Sequence, residues 1–326
     1  MNIKDRIVKF LEENKESSAS EIADELMVSR QSVHSVLKKL LEEKQVIKLG
    51  SSPRTIYKIN NAKQEKREKI EISDEDDLFL KNNFLVITEI GEILEGTDGF
   101  AYWCKKRNLP VEKTVQEYIS TREKYNRYSD ENGMINGFEK LKNTKGFEKI
   151  WIDEIYYFDF YAIERFGKTR LGTILHYAKQ GQNVMLMKIL VQEIKTRLEN
   201  FIENNGFDAV GFVPPTIKRE TQIMKFLQKK LKINLPHIEI LKISNLIPVP
   251  QKSLNKLEER VNNAENTFVV KSNQTFENVL LIDDAVGSGA TLNQIAGKLK
   301  QKNIAKHITA LSVVGSFKGF DVITDV

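Results

Sequence analysis

Asn278-Val279-Leu280-Leu281-Ile282-Asp283-Asp284-Ala285-Val286-Gly287-Ser288-Gly289-Ala290-Thr291 is the stretch that decides the fold of the C-terminal half. An apolar run of strand length ends abruptly at two carboxylates, a Gly/Ser/Thr loop follows, and a helix is predicted from Leu292. An unbroken apolar run suits a strand covered on both faces, as in a parallel sheet. A glycine-containing loop at a helix N-terminus offers successive backbone N–H groups at the positive end of the helix dipole, which is a phosphate cradle. Paired carboxylates beside it repel a phosphate but accept hydrogen bonds from vicinal hydroxyls. The combination describes a site for a 5-phosphorylated ribose.

Outward from this stretch, apolar runs alternate with amphipathic helices from about Trp151 onward, the signature of an α/β domain with a mainly parallel sheet. Phe207-Asp208-Ala209-Val210-Gly211-Phe212-Val213-Pro214-Pro215 reads as a second buried strand entering a tight turn, followed by Thr216, Lys218 and Arg219 before a helix. Between the two strands lie Pro248–Leu254, Leu257–Ala264 and Phe268.

The acid pair and its loop resemble the phosphoribosyl pyrophosphate (PRPP) motif of type I phosphoribosyltransferases, and residues 150–315 resemble the ComF-like branch of that family. The resemblance implies a mainly parallel sheet flanked by helices. It implies that Asp283 and Asp284 hold the ribose hydroxyls, as the catalytic pair, and that Gly287, Ser288, Gly289, Ala290 and Thr291 hold the 5-phosphate. Thr216, Lys218 and Arg219 take the place of the pyrophosphate loop, where cations suit a multiply charged leaving group. Lys252 and Arg260 fall in the flexible hood. Magnesium would ride on PRPP rather than in a protein cage. Two features depart from the family. Gly287 stands where hypoxanthine-type enzymes carry an acid that serves the purine, and the four-cysteine zinc module that opens typical ComF-like chains cannot be made from one cysteine, Cys104.

Residues 1–59 read as three helices and a two-stranded ribbon. Ser18-Ala19-Ser20-Glu21 fits a capping box, and Ser29 is a suitable N-cap for the third helix. There Val33, Val36, Leu37, Leu40 and Leu41 form an apolar stripe, with Gln31, His34, Ser35 and Lys38 opposite and Arg30 at the exposed end. This block resembles the winged helix-turn-helix family. By that resemblance Arg30, Gln31 and His34 reach base edges of double-stranded DNA, while Lys38 and Arg54 meet phosphates. Eleven Lys and Arg against nine Asp and Glu in the block make a weak electrostatic footprint, with Glu42 and Glu43 opposing DNA locally, so a protein-interaction role stays open.

Residues 60–77 are a charge run, read as a solvated linker or an exposed helix and assigned as a linker, and residues 78–150 read as mostly helical without a legible role. The whole chain, 326 residues with 29% charged residues and a net charge of +5, is ordinary for a globular protein of two or three units. Apolar runs are too short for a membrane span, and no signal pattern opens the chain, so the cytoplasm is the expected compartment. Cys104 excludes intramolecular disulfides and cysteine-based zinc sites. Trp103, Trp151 and Tyr156–Tyr161 read as packing residues, and His176, His237 and His307 show no metal spacing.

Two functional classes remain. One is a regulator in which PRPP or a nucleotide biases DNA binding. The other is an enzyme that transfers phosphoribosyl to a nitrogenous base and releases pyrophosphate, with the winged helix as an interaction module. A homodimer fits both.

Overall fold

The computed structural model describes residues 2–43, 45–51, 53–60, 70–144, 146–215, 217, 219–243, 254 and 256–316. They form two compact units that divide between Glu71 and Ile72.

The first unit runs α1 (Ile3–Asn14), β1 (Glu16–Ser17), α2 (Ala19–Glu25), α3 (Arg30–Glu42), β2 (Val46–Ser51) and β3 (Arg54–Ile59). Its antiparallel sheet has the order β1-β3-β2, one strand more than the ribbon read from the sequence. The added strand is two residues long, too short to carry a periodic signal. Ser18 closes the expected capping box with Glu21, and the Ser29 hydroxyl accepts the Ser32 N–H at 3.2 Å. Ile7, Leu11, Ile22, Val33 and Leu40 are fully buried in one core, each contributing about 1.5–3 kcal/mol of burial free energy. Val36 and Leu41 pack only at its edge.

The second unit opens with α4 (Asp74–Asn83), the hairpin β4 (Leu85–Ile87) and β5 (Ile93–Glu95), α5 (Gly96–Lys105), α6 (Val111–Asn126), β6 (Ile135–Asn136) and α7 (Phe138–Asn143). It continues with β7 (Glu154–Phe160), the small pair β8 (Ala162–Ile163) and β9 (Gly167–Lys168), α8 (Arg170–Gln180), α9 (Val184–Asn205), β10 (Ala209–Phe212) and α10 (Ile223–Leu231). Then come β11 (His237–Lys242), α11 (Leu257–Thr267), β12 (Phe268–Lys271), β13 (Phe276–Val286), α12 (Ala290–Gln301) and β14 (Ala305–Gly315).

Seven strands form one sheet in the order β12-β11-β10-β13-β14-β7-β6, parallel from β11 through β7 and antiparallel at both edges. Leu280 and Ile282 of β13 face the core with α8, α9 and α10, while Val279 and Leu281 face the core with α12. Both faces are therefore covered, which is why β13 reads as a continuous apolar run. From β10 the chain crosses by α10 to β11 on one side. From β13 it crosses by α12 to β14 on the other. The strand order reverses between β10 and β13, and in open α/β sheets ligands bind in the crevice at the carboxyl ends of strands at such a point.

Two readings of the middle region are corrected. Asp74, Glu75, Asp76 and Asp77 are not linker but the first turn of α4, capped by Ser73, where acidic side chains complement the helix dipole. Residues 72–150 belong to the second unit, and β6 pairs with β7 as an edge strand of the main sheet. An aromatic cluster welds them there: Phe84 and Phe100 lie 4.9 Å apart, Phe84 and Tyr118 5.4 Å, and Trp103 and Phe166 5.6 Å.

Candidate functional site

β13 does not stop at the acid pair. Its pairing with β14 continues through Asp283↔Ser312 to Val286↔Gly315, so both carboxylates stand on a rigid strand near its carboxyl end. Asp283 is partly exposed and Asp284 is 5% exposed. The backbone N–H of Asp284 donates to Asp283 Oδ1 at 2.7 Å. Burial first, and the neighbouring Asp284 charge second, hold the Asp283 carboxyl well above the usual carboxylate range, with Lys179 acting against them.

Lys179, in the last turn of α8, places its Nζ 2.7 Å from Asp284 Oδ1 and 2.6 Å from Oδ2. It is the cation that lets two adjacent carboxylates stand at one strand end, and it leaves Asp283 as the freer acceptor. Nothing local in the sequence marks Lys179 for this role. Its partner lies 105 residues away, beyond any local pattern.

The loop after β13 is the short Gly287-Ser288-Gly289 turn into α12. Gly289 has φ +80°, and a Cβ there would come within 2.7 Å of Leu141, so only glycine fits without a shift. No side chain caps α12, although the Ser288 hydroxyl accepts the Ala290 N–H at 3.3 Å. The first turn of α12, containing Thr291, therefore presents amides at the sheet's carboxyl edge. α7 lies over this turn. A small cavity is lined by Gly287, Ser288 and Gly289 together with Lys140, whose Nζ donates to the Ser316 carbonyl. Burial pushes the Lys140 ammonium down to about 8. This cation lies in the region whose role was illegible in the sequence.

On the other side of the switch point, Arg219 Nη2 donates to Gln180 Oε1 at 3.0 Å, and Gln182 Oε1 accepts the Thr221 N–H at 2.9 Å. The end of α8 thus ties the β10 loop and the acid pair together. Thr216, Lys218 and Lys252 lie outside the described residues. Arg260 is on α11, where its Nε donates to the Leu254 carbonyl at 2.7 Å.

His237 and His307 are exposed, whereas the other aromatic and histidine candidates pack. Trp103 is buried in the aromatic cluster, Trp151 lies against Gly297 under Lys149, and the His176 ring meets the Tyr161 hydroxyl at 3.0 Å. Burial pushes the buried Cys104 thiol up to about 11, which makes it a poor nucleophile. Among the described residues no group of three or more His, Cys, Asp or Glu could hold a metal ion, and no helix is long and apolar enough to cross a membrane.

In the first unit, Arg30, Gln31, His34 and Lys38 are all exposed on one face of α3, and Arg54 is exposed at the start of β3. Glu43, which would oppose a nucleic acid, is ion-paired with Lys4. The turn between α2 and α3 is short, with Met27 at φ 49° and 93% exposed.

Residues 4–58 match the family model of an HTH domain, so the first unit is a helix-turn-helix domain, which supports DNA binding. No curated protein matches the chain.

Proposed function

We propose that the chain is a PRPP- or nucleotide-responsive DNA-binding regulator whose second unit has the type I phosphoribosyltransferase fold. The observation that carries the ligand reading is the acid pair on β13 beside an uncapped, glycine-turned helix N-terminus, at the switch point of a doubly covered parallel sheet. In this reading Asp283 accepts the ribose hydroxyls, Asp284 is held ready by Lys179, and the 287–291 turn takes the 5-phosphate with Lys140 as a nearby positive charge. Arg219, with Thr216 and Lys218, faces the pyrophosphate. Magnesium arrives with PRPP. Lys252 and Arg260 belong to a hood that covers the ligand. Arg30, Gln31, His34, Lys38 and Arg54 form the DNA face.

Sensing is favoured over transfer because no acid stands at Gly287 to handle a base, and because a helix-turn-helix domain is fused directly to the ligand-binding unit. The experiment that separates them is pyrophosphate release from PRPP with a panel of purine and pyrimidine bases. Release stays at background in this account. Turnover with any one base on the order of 1 per second or faster, an ordinary enzymatic rate, makes the protein a transferase instead.

A further inference from the structure

A second cleft, of about 300 Å³, opens in the second unit away from the acid pair, between α4, α6, α9 and the carboxyl end of β7. Three guanidinium groups line it. Arg170 is engaged at all three nitrogens: it bonds Glu193 through Nε and Nη2 at 3.0 and 2.8 Å, and it contacts Glu95 and the Lys81 carbonyl through Nη1. Arg122, 7% exposed, gives Nη1 to Asp159 and Nη2 to Asn83 at 2.9 and 3.0 Å, and its Nε has no hydrogen-bond partner. The two carboxylates lining the cleft are thus each committed to an arginine.

Arg197 differs. Its Nη2 donates to the Phe158 carbonyl at 3.0 Å and to the Gly133 carbonyl, and its guanidinium lies over the Phe158 ring. No carboxylate among the described residues pairs with it, and its Nε and Nη1 are left as donors. Burial pulls its guanidinium below the ordinary arginine value. With three guanidinium groups against two carboxylates on its lining, and with Arg197 held by carbonyls alone, the cleft is short of one negative group.

We propose that this cleft binds a small metabolite through an oxyanion, phosphate or carboxylate, taken by Arg197 with Arg122 and Arg170 beside it. Planar, forked donors suit both groups. Its volume is roughly that of ten waters in the liquid, so the ligand is larger than a bare phosphate ion.

The test is calorimetry on the full chain with glycerol 3-phosphate and with succinate as probes, in the wild type and in the Asp283→Asn/Asp284→Asn variant. Binding of either probe in both proteins is expected, and the probe that binds names the source of the oxyanion. Asn126, exposed on the cleft rim, supplies a variant that spares the fold: Asn126→Asp should weaken binding about fivefold by charge repulsion. Arg197→Lys keeps the charge but loses the fork, and should weaken binding as well. No heat with either probe, or an affinity untouched by both Asn126→Asp and Arg197→Lys, overturns the proposal. A probe site lost only with the acid pair also overturns it, because that result places the anion at the 287–291 turn.

Discussion

In the Asp283→Asn/Asp284→Asn variant, PRPP affinity measured by calorimetry falls at least about tenfold while the far-ultraviolet spectrum is unchanged. Hydrogen bonds to a charged acceptor contribute roughly 1.5–3 kcal/mol each, and tenfold corresponds to about 1.4 kcal/mol, so the loss of one full contact suffices. The fold survives because both side chains lie at the strand's carboxyl end, and Lys179, 20% exposed, is left near solvent. The same variant changes the pH dependence of stability. The Asp283 carboxyl is raised in the folded protein above its unfolded value of about 3.9, so its contribution is fully present below that pH. It is lost as pH rises toward neutrality. The wild-type Tm should therefore decline over that interval relative to the variant, whose amides do not titrate. Equal PRPP affinities in the two proteins would remove the acid pair from the site.

Replacing Arg30, Lys38 and Arg54 together by alanine lowers duplex affinity at least about a hundredfold, since a lost base contact alone is worth roughly 1–3 kcal/mol. The slope of log affinity against log salt flattens by about two units, one for each lost phosphate contact at Lys38 and Arg54. All three side chains are exposed, so the melting temperature of the unit should barely move. An unaltered slope in a folded triple variant would turn the α3 face into a protein-binding surface.

The parts of the fold that were legible in the sequence are those where one local pattern carries the information. The α3 stripe, the Ser18 capping box and the doubly buried β13 each announce themselves within a few residues. What was not legible depends on distant partners. β1 exists only because Glu16 and Ser17 meet Lys58 and Tyr57. β6 joins the main sheet by two residues. The acid run at 74–77 looks like solvated linker until Ser73 is seen to cap a helix.

The candidate site divides in the same way. The acid pair and glycine turn are contiguous and were read directly. Lys179 and Lys140 come from other elements, and only the folded chain brings them to the strand end and the loop. The end of β13 was misplaced for a related reason: two acids in a row look like a strand terminus, yet a lysine and backbone pairing with β14 carry the strand past them to Val286.

In the proposed function, one ligand at the acid pair and DNA at α3 are coupled. Linkage requires that a ligand which changes DNA affinity by some factor is itself bound differently by the same factor when DNA is present. The direct measurement is the affinity of the full-length protein for a duplex carrying its own promoter region, with and without saturating PRPP. A change of about fivefold or more is expected, within the usual coupling range, and it disappears in the Asp283→Asn/Asp284→Asn variant. Tight duplex binding that is indifferent to PRPP, in a protein that binds PRPP, would contradict it.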